Sequence, residues 1–296
     1  MASKIIAFFQ AVLISSIFLL VFPQCSSMQV RASLSDTGNQ IIEIPQVWST
    51  KPPYGQAIHK VTGRASDGLL IIDYIAKSAG LPFLEPFLKY QNATHLLGGG
   101  GVNFAAGGST VLSAKFLAEK NISSDHVSSP LNVQLEWLDK YLQGFCHDAK
   151  EKLASSLFQT FAGGNDYGIA LSQNKTIEEV KNSLVPDFVE ALKQAVRKFI
   201  HVHGLSLAGC SPRFLTKFSS SNNISASYDG FGCLKNNNGL SMYHNLRLKK
   251  GIEELKREYP HVDIVYGDLY SAMQWILNNS RHLGEDIFPK FRCKKV

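Results

Sequence analysis

The sequence predicts an α/β fold layered around a parallel sheet, and three observations carry that expectation. Amphipathic helical stretches alternate with short apolar runs, the order that lays helices over the faces of a parallel sheet. The composition is 45% hydrophobic and 18% charged over 296 residues, enough to bury the core of one large domain or two small ones. That composition excludes disorder, collagen and coiled coil, and there is no internal repeat.

Taken in order, Asp67 is placed to cap a helix with Leu69, Ile72, Ala76 and Ala79 inward, stopped by Gly80 and Pro82. Ser129 caps and Pro130 opens a helix whose Leu131, Leu135, Leu138 and Leu142 share a face, ending near Gly144. Thr176 caps another, which Pro186 interrupts or restarts before the stripe of Val189, Leu192, Val196, Phe199 and Ile200. A further helix carries Leu248, Ile252 and Leu255 and ends at Pro260. Residues 262–266 are short and β-branched enough for a buried strand, stopped by Gly267. The runs 98–101, 219–221 and 236–238 read as loops. In parallel sheets reactive groups sit at the carboxyl ends of strands.

The amino terminus sets the compartment. Lys4 precedes an apolar stretch over residues 5–22, then polar Gln24-Cys25-Ser26-Ser27, so residues 1–27 read as a secretory signal peptide and 28–296 as the domain after it. The apolar length also suits an uncleaved anchor, and no later segment is long enough to span a bilayer. Sequons at Asn92, Asn121, Asn174, Asn223 and Asn278 agree with a secreted, glycosylated chain. Without the leader, Cys146, Cys210, Cys233 and Cys293 remain, as structural disulfides in one of three pairings or as buried thiols. Neither Cys-x-x-Cys nor a zinc spacing occurs, so no metal is expected. The net charge of +6 is scattered apart from Lys290, Arg292, Lys294 and Lys295, which excludes a nucleic-acid footprint.

Three segments carry chemical meaning. Ser33-Leu34-Ser35-Asp36-Thr37-Gly38-Asn39 comes after a weak extended stretch over residues 28–32 and reads as a turn, a cap or a nucleophile's loop. Gly101-Val102-Asn103-Phe104-Ala105-Ala106-Gly107-Gly108-Ser109-Thr110 is a glycine-bracketed loop whose bare N–H groups suit an anion or simply a tight turn. Phe161-Ala162-Gly163-Gly164-Asn165-Asp166-Tyr167 comes after apolar Leu157-Phe158 and presents an Asn amide at a strand end, or forms an Asx turn.

In that order and at those separations the segments resemble the plant GDSL esterase/lipase family of SGNH serine hydrolases, with the later segments similar to its acetylajmalan-esterase-like branch. Pro53-Tyr54-Gly55, Gly63-Arg64-Ala65-Ser66-Asp67-Gly68, Gly80-Leu81-Pro82, Gly209-Cys210-Ser211-Pro212, Tyr228-Asp229, Gly232-Cys233-Leu234-Lys235, Tyr243-His244-Asn245-Leu246 and Tyr266-Gly267-Asp268 extend the resemblance to about residues 33–286. It implies a three-layer α/β/α, flavodoxin-like fold with a central parallel sheet. It also implies a serine hydrolase that cleaves carboxylic esters of small-molecule or lipid type and needs no cofactor. Ser33 would be the nucleophile, and the N–H groups of Ser33 and Gly108 with the Asn165 amide would be the oxyanion donors. Cys210 and Cys233 would pair.

The departures carry their own expectations. Arg31-Ala32 stand where the family has Gly-Asp, and cleavage near Ser27 would leave a stub for the first central strand. The stretch 200–210 is shorter than the family's strand, and the fold is expected to be incomplete there. No Asp is followed by His three residues later, so the family's base and its orienting Asp have no match, and His261 and His282 are the nearest downstream histidines. The alternative expectation is therefore a truncated, impaired relative or incomplete gene product that at most binds an ester or lipid.

Overall fold

Thr176 and Glu179 show most directly how this sequence starts a helix. The Glu179 N–H donates to the Thr176 hydroxyl at 3.1 Å and the Thr176 N–H donates to the Glu179 carboxylate at 2.6 Å. Two orphan donors of the first turn are thereby satisfied reciprocally, as the T-x-x-E spacing predicts.

The computed structural model describes residues 27–29, 33–78, 80–90, 101–124, 129–145, 157–161, 164–196, 201–219, 227–262 and 264–283. In chain order the elements are β1 (Ser27–Gln29), α1 (Asn39–Glu43), α2 (Ile71–Ser78), β2 (Glu85–Pro86), β3 (Val102–Asn103), α3 (Ala114–Glu119) and α4 (Leu131–Phe145). Then come β4 (Leu157–Phe161), α5 (Gly164–Ser172), α6 (Ile177–Ser183), α7 (Val185–Val196), β5 (His201–His203), α8 (Pro212–Ser219), α9 (Lys235–Glu258), β6 (Val265–Gly267), α10 (Leu269–Asn278) and α11 (Ser280–Leu283). The fold is α/β with parallel strands, and the chain divides into two compact units, residues 1–108 with 133–158 and residues 109–132 with 159–296.

In the first unit β3 lies between β2 and β1, with Val102 opposite both Glu85 and Met28. Phe104 packs against Phe87 at 5.2 Å and edge-on against Tyr141 at 5.6 Å, while Trp137 stacks on Phe87 at 5.6 Å. These tilted, stacked and edge-on rings form an aromatic cluster in its core. Helix α2 departs from expectation at its start. Asp67 is exposed and the helix begins at Ile71, where the Asp73 carboxylate accepts the Leu70 N–H at 2.8 Å. The reason is Arg64, whose Nε and Nη2 fork onto the two Asp73 oxygens at 2.8 Å each in a buried ion pair. Leu70, Ile72 and Leu84 pack together, and Ala76 is buried as its spacing predicts, whereas Leu69 is half-buried. Ala79 lies outside the described residues.

In the second unit β5 lies between β4 and β6, in register through Phe161, His203 and Gly267. A Cβ on Gly267 would fall 1.9 Å from His203 Nδ1, so the glycine that ends β6 makes room for the imidazole that ends β5. Helices α6, α7 and α9 pack through Val180, Leu184, Phe188, Leu192, Leu248 and Ile252, all buried. Cys210 and Cys233 form a disulfide beside Leu207.

Several local expectations need correction. Helix α4 begins at Leu131, one residue after Pro130, with Ser129 at φ 39 rather than in extended backbone, and the Leu131 N–H donates to the Thr110 carbonyl at 3.0 Å. Residues 236–238 are helical rather than a loop, because α9 starts at Lys235 and turns Asn237 and Asn238 inward. Ser219 likewise ends α8. The strand after Pro260 is displaced to residues 265–267, since Val262 still donates its N–H to Tyr259 O in the turn that ends α9. Residues 1–26, Asn92, Asn223, Cys146, Cys293 and the side chains of Val196, Phe199 and Ile200 lie outside the described residues. Among the described residues Asn121, Asn174 and Asn278 are exposed, and no helix is long and apolar enough to cross a membrane.

Candidate active site

Ser33, whose side chain lies outside the described residues, opens the short 3-10 turn Ser33–Ser35, and Asp36 directly after the turn organises the loops around it. Asp36 is buried, and its carboxylate is saturated by backbone donors. Oδ1 accepts the N–H of Gly38 at 2.8 Å and of Asn39 at 2.7 Å, while Oδ2 accepts those of Gln40 at 3.0 Å and Gly107 at 2.7 Å. Burial pushes its carboxyl above the usual carboxylate range, opposed by the four N–H donors that favour the charged form. Three of these bonds start α1, and the fourth reaches the glycine loop 71 residues away.

Two asparagines complete the connection. The Asn39 amide donates to the carbonyls of Asn103 and Ala105, both at 2.8 Å, and its oxygen accepts the Leu88 N–H at 3.0 Å. Asn103, fully buried on β3, donates to the Ser35 carbonyl and accepts the Ala105 N–H at 2.7 Å. The turn bearing Ser33 and the loop that ends in Gly108 are thus joined through buried side chains whose polar atoms find partners.

Gly108 is half-buried at φ +77, a left-handed conformation that favours glycine. Before it, a Cβ on Gly107 would lie 2.2 Å from Gln40 Oε1, so the Gln40 amide would have to move to admit a side chain there. Asn165 is the second residue of α5, and its amide donates at 3.0 Å to the carbonyl of Ser109, the residue after Gly108. Its neighbour Asp166 accepts the N–H of Val111 and of Leu112, each at 2.9 Å. Ser33 and Gly108 therefore share the first unit, and Asn165 is tied in the second to the residues after Gly108.

The first unit thus offers the backbone N–H groups of Ser33 and Gly108, and the second the uncharged amide of Asn165, donors that do not titrate near neutral pH. An open groove of about 650 Å³ begins at Thr37 and Gly38 and is lined mainly by apolar side chains, among them Ile41, Val61 and Phe83, with Lys60 among its polar residues. His261 and His282 are exposed, and His244 is fully buried with Tyr167 Oη 2.8 Å from its Nδ1. Among the described residues no three His, Cys, Asp or Glu side chains gather as a metal site.

A family model described as GDSL-like Lipase/Acylhydrolase matches residues 32–286. The chain belongs to this GDSL family. It is 36% identical over 282 residues to acetylajmalan esterase 2 of Rauvolfia serpentina, covering 90% of this chain and 75% of that one. A GDSL esterase/lipase of Arabidopsis thaliana is 36% identical over 296 residues, covering 91% and 73%. The sinapine esterase of Brassica napus is 35% identical over 280 residues, covering 88% and 70%.

Within this GDSL chain, sequence reasoning missed the residues that hold the loops. Asp36 reads as a turn former, and Asn39, Asn103 and Asp166 carry no reading of their own. Their signal is chemical: carboxylates and carboxamides set among Gly, Ala and Phe in the three segments that carry the resemblance.

Proposed function

We propose that this chain hydrolyses carboxylic esters of small-molecule or lipid type through an acyl-enzyme on Ser33. The Ser33 hydroxyl attacks the ester carbonyl carbon, its proton passes by way of solvent to the departing alkoxide as the tetrahedral oxyanion collapses and the alcohol is lost, and water then cleaves the acyl-enzyme to the acid and restores the hydroxyl. The N–H groups of Ser33 and Gly108 and the Asn165 amide stabilise the oxyanion. No residue is assigned the general base. The chemistry needs no cofactor, and the apolar groove beside Thr37 and Gly38 suits an apolar acyl group.

The observation that supports this reading best is the bond from Gly107 N–H to Asp36, which fastens the glycine loop to the block that contains Ser33. We place the protein in the secretory pathway, on the strength of the leader-like residues 1–27 and the exposed sequon residues Asn121, Asn174 and Asn278.

The test uses the purified full chain with p-nitrophenyl acetate and a serine-directed fluorophosphonate. Ser33→Ala is expected to abolish both hydrolysis and labelling, and Asn165→Ala to lower hydrolysis by about 10²- to 10³-fold. Hydrolysis that survives Ser33→Ala unchanged would overturn the reading.

A further inference from the structure

We infer that Asp36 is the positioning residue that fixes the Gly107–Gly108 peptide against the Ser33 turn, and so aims the Gly108 N–H. The kinetic half of this inference rests on the esterase reading, and the structural half stands without it.

Gly107 and Gly108 are adjacent glycines, and a Gly-Gly peptide can swing through conformations closed to other residues. The Gly108 N–H belongs to the peptide that joins the two, so its direction depends on the backbone angles at Gly107. The Gly107 N–H is held by Asp36 Oδ2 at 2.7 Å, and the Gln40 amide sits where a Gly107 side chain would be. Gln40 is itself placed by the same carboxylate oxygen, through its N–H at 3.0 Å. A single carboxylate therefore sets both the bond that holds Gly107 and the wall that confines it.

The stoichiometry also demands a carboxylate. Each Asp36 oxygen accepts two N–H groups, so all four contacts require acceptors. In Asp36→Asn the amide nitrogen must face two N–H donors. With the oxygen kept toward Gly38 and Asn39, which lie within the same turn, the contact with Gly107 is lost.

The experiment compares the full-length chain with Asp36→Asn by amide hydrogen exchange, thermal unfolding and steady-state hydrolysis of p-nitrophenyl acetate. Exchange over residues 104–108 should rise at least about tenfold while helix α9 keeps its protection. The kcat should fall at least about tenfold with KM within about twofold, a split that an indirect effect on general stability does not produce. Unchanged exchange over 104–108, or an equal rise in α9, would overturn the inference. If Asp36→Asn does not fold, Gly107→Ala displaces the same N–H with Asp36 in place and should give the same two changes. Normal exchange and kcat in that variant would overturn it as well. Failure of the esterase reading is recognised separately, as no hydrolysis by the unmodified chain or hydrolysis that survives Ser33→Ala, and leaves the exchange measurement to decide.

Discussion

His244 should make this protein acid-sensitive by an amount that can be worked out. Its ring lies 5.0 Å from Phe188 and 5.6 Å from Tyr167, edge-on to both, with Tyr167 Oη 2.8 Å from Nδ1 and, among the described residues, no hydrogen-bond partner for Nε2. Burial without a counter-charge pushes its pKa down to about 3 from 6.5. Because the folded value is depressed, the unfolded chain takes up a proton below pH 6.5 and the folded chain does not until about pH 3. Stability is therefore lost as pH falls through that window, at up to about 1.4 kcal/mol per pH unit. The loss amounts to about 2 kcal/mol at pH 5 and about 3 kcal/mol at pH 4.

His244→Asn replaces the titrating ring with an amide that can still meet Tyr167, at a constant packing cost. Urea unfolding of both proteins from pH 7 to pH 4 cancels the carboxylates they share. The variant should be the weaker at pH 7, and the gap should shrink by about 2 kcal/mol at pH 5. A gap that stays constant over this range would refute the account of a neutral, uncompensated imidazole.

Asp73→Ala strands the buried Arg64 guanidinium and should cost about 3–5 kcal/mol in urea unfolding, and a loss below about 1 kcal/mol would show that the pair is dispensable. Chain made through a secretory pathway should lose apparent mass on glycosidase treatment, stepwise less as Asn121, Asn174 and Asn278 are changed to Gln, and a mass insensitive to the enzyme would contradict the secretory reading.

How much the sequence disclosed depends on the reach of each signal. Thr176 and Glu179 are three residues apart, so their cap is readable on sight, and the Leu248, Ile252 and Leu255 stripe marks the second half of α9. The first half buries Asn237, Asn238, Ser241, His244 and Asn245, a polar inner face that an apolar period cannot reveal. Asn238 accepts the Gly209 N–H and Asn245 both donates to and accepts from Leu205, so these two amides are matched by backbone distant in sequence. Strands of two or three residues are too short to show alternation. In the candidate site the segments of Ser33, Gly108 and Asn165 were legible through resemblance. The reach of Asp36 to Gly107 was not, because nothing in a turn-forming Ser-Asp-Thr-Gly announces a partner 71 residues on.

The strand that borders the first unit bears on self-association. An outermost strand offers a second chain its free N–H and C=O groups, and long apolar borders invite accretion. Here β2 is only Glu85 and Pro86, of which the proline has no N–H to give, and Lys89 comes within one turn, ion-paired to Glu85. A strand arriving from another molecule would find little ladder to extend and a charged pair to displace. The same brevity that hid this strand from a periodicity reading leaves the border a poor template for polymerisation.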